Sequence, residues 1–97
     1  MVTFNTPVPK FALGHVLATP SALAAMEASG QSLQQFLRRH VTGDWGEVSA
    51  ADAEANNDGL VGGDRLLSSH RTRQGVLIWI LTEADRSVTT LLLPEEY

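Results

Sequence analysis

The spacing of apolar residues along the chain changes near residue 65. Before that point they recur at helical intervals in "TPSALAAMEASG" and "QSLQQFLRRHVTG"; after it they alternate or run together in "RLLSSHR", "VLIWILTE" and "SVTTLLLP". The first segment predicts a helix that begins at the cap Thr19 and Pro20 and leaves at Gly30, with Ala22, Leu23 and Met26 facing the core. The second predicts a helix with Ser32 and Gln35 as a capping box, a stripe of Leu33, Phe36, Leu37 and Val41, and Gly43 as the stop. "SAADAEANNDG" predicts a third, short surface helix capped by Ser49 and ended by Asn57-Asp58-Gly59.

The three C-terminal runs are separated by "TRQG" and "ADRS", the pattern of an antiparallel meander. An earlier run, "FALGHVL" (residues 11–17), reads as a further strand weakened by Gly14. Pro7 and Pro9 mark residues 1–10 as an extended arm and leave 11–97 as a single domain. The predicted fold is therefore α+β, with two to three N-terminal helices packed on one face of a three- to four-stranded antiparallel sheet that ends in a β-meander.

In the middle strand Val76, Ile78 and Ile80 point one way, and Leu77, Trp79 and Leu81 the other. Both faces are apolar. A domain this small has helix enough to cover only one of them, so Leu77, Trp79 and Leu81 become candidate interface residues. A homodimer is the expected cover, because twofold pairs are the commonest oligomers. Another protein, or the N-terminal arm folding back, are the alternatives.

Composition narrows the function. The 97 residues carry 11 acidic and 7 basic side chains, a net charge of −4, which disfavours general binding to nucleic acid. Two short basic groups, Arg38-Arg39-His40 and Arg65 with His70, Arg71 and Arg73, are the local exceptions. The first falls in a last helical turn, where positive charge suits the helix dipole. There is no cysteine, hence no disulfide, thiolate metal site or cysteine nucleophile, in keeping with a reducing cytoplasm. No run has the length of a bilayer span and the first residues lack the pattern of a signal peptide, so a cytoplasmic protein away from membranes is expected.

Chemistry is sparse. Asp44 and Trp45, in "GDWG", sit on a sharp link between helices, where they either cap the turn and plug the core or face a cleft. Asp85 and Arg86, in "EADRS", form a turn that could also hold a phosphate or carboxylate on the guanidinium. His15, His40 and His70 have no close metal-ligand spacing, Ser68-Ser69-His70 lacks a nucleophile-elbow context, and "GLVGGD" is not a phosphate loop. No catalytic residue, metal or cofactor is assigned. The candidate binding residues are Asp44, Trp45, Asp85, Arg86 and His40.

The segments "LGHVLATPSAL", "RRHVTGDWGEV", "GDRLLSSHR" and "IWILTEADRSVTTLLLPEEY" together resemble a family of small bacterial proteins of plasmids, phages and other mobile elements. Some members bear the label type I restriction endonuclease subunit M. That label does not transfer, because a methyltransferase needs an adenosyl-methionine domain with a Gly-rich loop and an Asn/Asp-Pro-Pro-aromatic motif. The resemblance implies an accessory protein with Asp44, Trp45, Asp85 and Arg86 at the family-pattern positions, and no catalytic role for His70, where relatives often have Tyr. The expected function is a non-enzymatic, homodimeric interaction protein of a mobile element. The alternatives are a metal-independent ribonuclease of RelE-like layout, using His40, His70, Arg71 and Arg86, or a small-anion-binding protein with Trp45 and Arg86 lining the cleft.

Overall fold

Both helix starts lie where their capping residues put them. In the computed structural model, which describes residues 8–97, the Ala22 amide donates to the Thr19 hydroxyl (3.1 Å) at the head of α1 (Pro20–Ala28). Ser32 and Gln35 close their reciprocal box on α2 (Leu33–Val41). Of the expected arm, residues 1–7 lie outside the described part; Lys10 is tied to the end of α2 by its amide, which donates to the Val41 carbonyl (2.8 Å).

The third helix, α3 (Ala50–Gly62), runs a turn past its expected end. Asn57-Asp58-Gly59 does not stop it. Gly59 is buried against Leu66, where its missing side chain makes room, and the left-handed exit is taken at Gly63 (φ 76°). As expected for a helix with little apolar face, its outer residues are exposed.

The strands are β1 (His15–Ala18), β2 (Leu66–Arg71), β3 (Leu77–Thr82) and β4 (Val88–Leu92), followed by a short helical turn at Pro94–Glu96. They form one sheet in the order β1-β4-β3-β2. The meander β2-β3-β4 is antiparallel as predicted, whereas β1 runs parallel to β4, so the sheet is mixed. Parallel neighbours cannot be joined by a tight turn; here the three helices carry the chain from β1 to β2 at the far edge, and the meander returns it to β4 beside β1.

One sheet face carries the helices. Ile78, Ile80 and Leu91 form a fully buried cluster with Ala22 and Met26 of α1 and Phe36 of α2. Leu23, expected in that core, is instead 40% exposed, because Ala22, Ala25 and Met26 supply the inward stripe of α1. Leu77, Trp79 and Leu81 lie on the opposite face and are half-buried. Part of their cover comes from the chain's own end, where the Tyr97 ring meets Trp79 edge-on at 5.7 Å. Among the described residues no helix is long and apolar enough to cross a membrane.

Candidate functional site

The sheet places the meander's inward residues under the end of α2, and there the sequence has put hydroxyls rather than methyls. Ser68, Thr82 and Thr89 are fully buried, and His40 is buried among them. His40 Nδ1 lies 2.5 Å from Ser68 Oγ, and Nε2 lies 2.8 Å from Thr82 Oγ1. Thr82 and Thr89 share a hydrogen bond of 2.8 Å, and the Thr89 hydroxyl donates to the Leu13 carbonyl (2.7 Å).

This chain of bonds fixes its own proton positions. The Thr89 proton is committed to Leu13, so Thr82 must donate to Thr89, and His40 must donate from Nε2 to Thr82. Nδ1 is then the acceptor of the Ser68 proton. Every member is satisfied by a neutral imidazole. Burial first, then the positive fields of His70 and Arg86, lower the His40 pKa from 6.5 to about 3. The expectation that His40 belongs to an exposed basic cluster is therefore corrected: helical phase turns it inward from Arg38 and Arg39, and no ligand reaches it in this conformation.

Three of the sequence-selected residues do converge. Phe11 packs edge-on against His40 (5.1 Å) and stacks on Trp45 (6.3 Å), and the Arg86 guanidinium sits 5.7 Å above the Phe11 ring. The space that a cleft ligand would use between Trp45 and Arg86 is filled by this phenyl ring. Trp45 is itself buried, its indole N–H donating to Asn57 of α3 (3.0 Å).

Arg86 also has both terminal nitrogens of its guanidinium bonded within the fold. At a left-handed backbone angle (φ 61°), its guanidinium donates to the carbonyls of Asp64 (2.6 Å), Gly59 (2.9 Å), Glu83 (3.2 Å) and Ala84 (3.3 Å). It ties the Gly59 carbonyl in the last turn of α3, and Asp64 just beyond the helix, to the β3-β4 turn, where positive charge also suits the helix dipole. Asp85 closes that turn by accepting from the amide (3.0 Å) and hydroxyl (2.6 Å) of Ser87, which hold its carboxyl below the usual range. Asp44 caps the other link. Partial burial pulls its pKa up, but the Arg39 guanidinium at 2.8 Å and the Gly46 amide at 3.1 Å outweigh that and hold it low.

The ribonuclease candidates are not gathered on an open surface. His70 is buried beneath Gly46, where a side chain at residue 46 would collide with the imidazole and with the Ser69 carbonyl. Burial and the nearby Arg39 charge lower its pKa, against the opposing pull of Asp44 and Glu47. Neither of its ring nitrogens has a hydrogen-bond partner among the described residues. Arg71 is exposed and pairs with Glu47 (3.0 Å). Among the described residues no group of three or more His, Asp or Glu could hold a metal ion.

Sequence reasoning missed Phe11, the hydroxyl set and Asn56. The inward Thr89 of "SVTT" was a usable signal, since a buried Thr needs a partner. Asn56 was not legible, because its role depends on where α3 docks: its side-chain amide donates to the Leu67 carbonyl (2.8 Å) and accepts from the Leu67 amide (3.1 Å). A cleft of about 470 Å³ lies elsewhere, between Pro9 and Leu13 and the outer side of α2, lined also by Gln34, Leu37, Arg38 and Val41. No family model, curated protein or solved structure matches the chain.

Proposed function

We propose that the chain is a non-enzymatic interaction protein that works as a homodimer, in keeping with the resemblance of its motifs to accessory proteins of bacterial mobile elements. The observation that carries this reading is the division of labour among its polar and apolar residues. Among the polar residues singled out for chemistry, His40, Asp44, Asp85, Arg86 and the hydroxyls of Ser68, Thr82 and Thr89 are bonded within the fold, while apolar residues of the sheet remain uncovered. Leu17 is 56% and Val16 37% exposed on β1, and half-buried Leu81 and Leu67 continue the Leu17 row across the face that the helices leave open.

Size-exclusion chromatography with light scattering tests it. The expected result is a dimer that Leu17→Asp converts to monomer without changing the circular dichroism spectrum; a wild-type monomer at all concentrations overturns the proposal. A second reading, small-anion binding, draws support from the cleft beside α2, where Arg38 makes no ion pair among the described residues and stands beside apolar walls. It calls for an amphipathic carboxylate rather than a bare phosphate. A thermal-shift series with octanoate in which Arg38→Gln abolishes the rise would support it, and no shift with octanoate would remove it.

A further inference from the structure

We infer that the two copies join through β1, antiparallel to one another about a twofold axis at Leu17, so that two four-stranded sheets become one of eight strands. The inference rests on the homodimer reading above and names its surface.

β1 is an edge strand held from one side. The His15 amide donates to Ser87 (2.9 Å) and the Thr19 amide to Leu91 (3.0 Å), so the odd-numbered residues of β1 turn their backbone toward β4. Alternation turns the N–H and C=O groups of Val16 and Ala18 outward. No loop, helix or side chain among the described residues bonds to them. The strand also lacks the lysine, proline or inward charge that commonly protects an edge: it reads His-Val-Leu-Ala.

The edge is complementary to itself. With Leu17 on the axis, Val16 faces Ala18 of the second copy, and each such pair exchanges two backbone hydrogen bonds. Leu17 then meets its own counterpart in the closely spaced, non-hydrogen-bonded position, about 4.5 Å between Cα atoms. It is also the most exposed large apolar side chain of the sheet. Its row continues through Thr90, Leu81 and Leu67, so pairing extends one apolar row from β2 of one copy to β2 of the other. A different protein could add a strand to this edge, but only a second copy brings the same four residues and the same exposed leucine.

The chain contains no cysteine, which makes single-cysteine crosslinking unambiguous. Leu17→Cys is compared with Val61→Cys, whose side chain on α3 is 94% exposed and far in sequence from β1. Under mild oxidation Leu17→Cys is expected to form a disulfide-linked dimer nearly completely, since a 4.5 Å Cα separation is within disulfide reach, and Val61→Cys to remain at least tenfold less linked. Hydrogen exchange at the Val16 and Ala18 amides of the unmodified chain should slow at least tenfold as concentration is raised through the dimer transition. A dimer by light scattering with no preferential Leu17→Cys linkage and concentration-independent exchange overturns the edge pairing and leaves the homodimer standing. A monomer at every concentration overturns both.

Discussion

The two edges of the sheet are treated in opposite ways. At β2, each outward group in the middle of the strand has a partner from a different part of the chain: the Asn56 amide takes both the N–H and C=O of Leu67, and the segment Trp45 to Glu47 takes those of Ser69 (2.9 and 2.6 Å). The second of these works only because Gly46, at φ 70°, presses its backbone against Ser69 and His70 where no side chain fits. At β1 nothing comparable is present among the described residues. A closed edge spends the loops and the third helix on solitude. An open one, His-Val-Leu-Ala, leaves among the described residues a place at which a strand can be added.

The largest way to break this contrast is to open the closed edge. Asn56→Leu keeps the approximate volume but removes both hydrogen bonds to Leu67, leaving a covered N–H and C=O unpaired, each worth about 1 to 3 kcal/mol. The expected loss is about 3 kcal/mol in urea unfolding. A loss below about 1 kcal/mol would mean that water replaces the amide at that edge, and the comparison would fail. The mirror change at the open edge, Leu17→Asp, is expected to leave the unfolding of the dilute protein within about 0.5 kcal/mol of the parent, as for an exposed position away from packed features.

How much of this was legible in the sequence follows from the range of the interactions. Caps, helix stripes and the meander are written in residues two to four apart, and they appear where Thr19, Ser32 and the alternation of β3 put them. The partner of β1 was not, since nothing in "HVLA" says which strand of the meander it will lie beside. The site fared likewise. Asp85 as a turn former could be read from its neighbours, but the targets of Arg86 are backbone carbonyls as far as 27 residues away. His40 misled for a different reason: its place in the last turn of α2 suits a surface base, and only the hydroxyls of three strands packed beneath it reveal an inward neutral imidazole.

The hydroxyl chain crosses the sheet between the two edges, from Ser68 on β2 to Leu13 just before β1, and it responds to acid. Its sign is set by His40. In the unfolded chain this side chain protonates near pH 6.5, whereas in the fold it stays neutral until about 3, so the unfolded state binds more protons between those values. Stability is complete above pH 6.5 and falls below it by about 1.4 kcal/mol per pH unit. His70, also lowered, adds in the same direction. The lowered carboxyls of Asp44, Asp85 and Glu96 lose their contribution only as pH falls through and below about 4.5. A loss of about 2 to 3 kcal/mol between pH 6.5 and 4.5 is thus the histidine share. His40→Asn, although less stable at pH 7, should flatten most of that slope; an unchanged slope would show that His40 is not the proton-linked group.

A small effect is the most discriminating for Arg86, because it separates the side chain from the backbone it occupies. Arg86 clasps α3, the helix that supplies Asn56 to the closed edge, and it does so from a left-handed angle that a non-glycine residue adopts at a cost of about 1 kcal/mol. Arg86→Ala loses the clasp and keeps the strain. It is expected to cost about 2 kcal/mol, the range for charge-assisted bonds at a partly exposed site. Arg86→Gly loses the clasp but relieves the strain, so it should be the more stable of the two by about 1 kcal/mol, although glycine is the more flexible residue in the unfolded chain. If the order is reversed, the turn does not hold residue 86 left-handed in solution, and the reach of its guanidinium to Gly59 and Asp64 has no basis. If the order holds and both variants keep the oligomeric state of the parent chain, the clasp belongs to the closed edge alone.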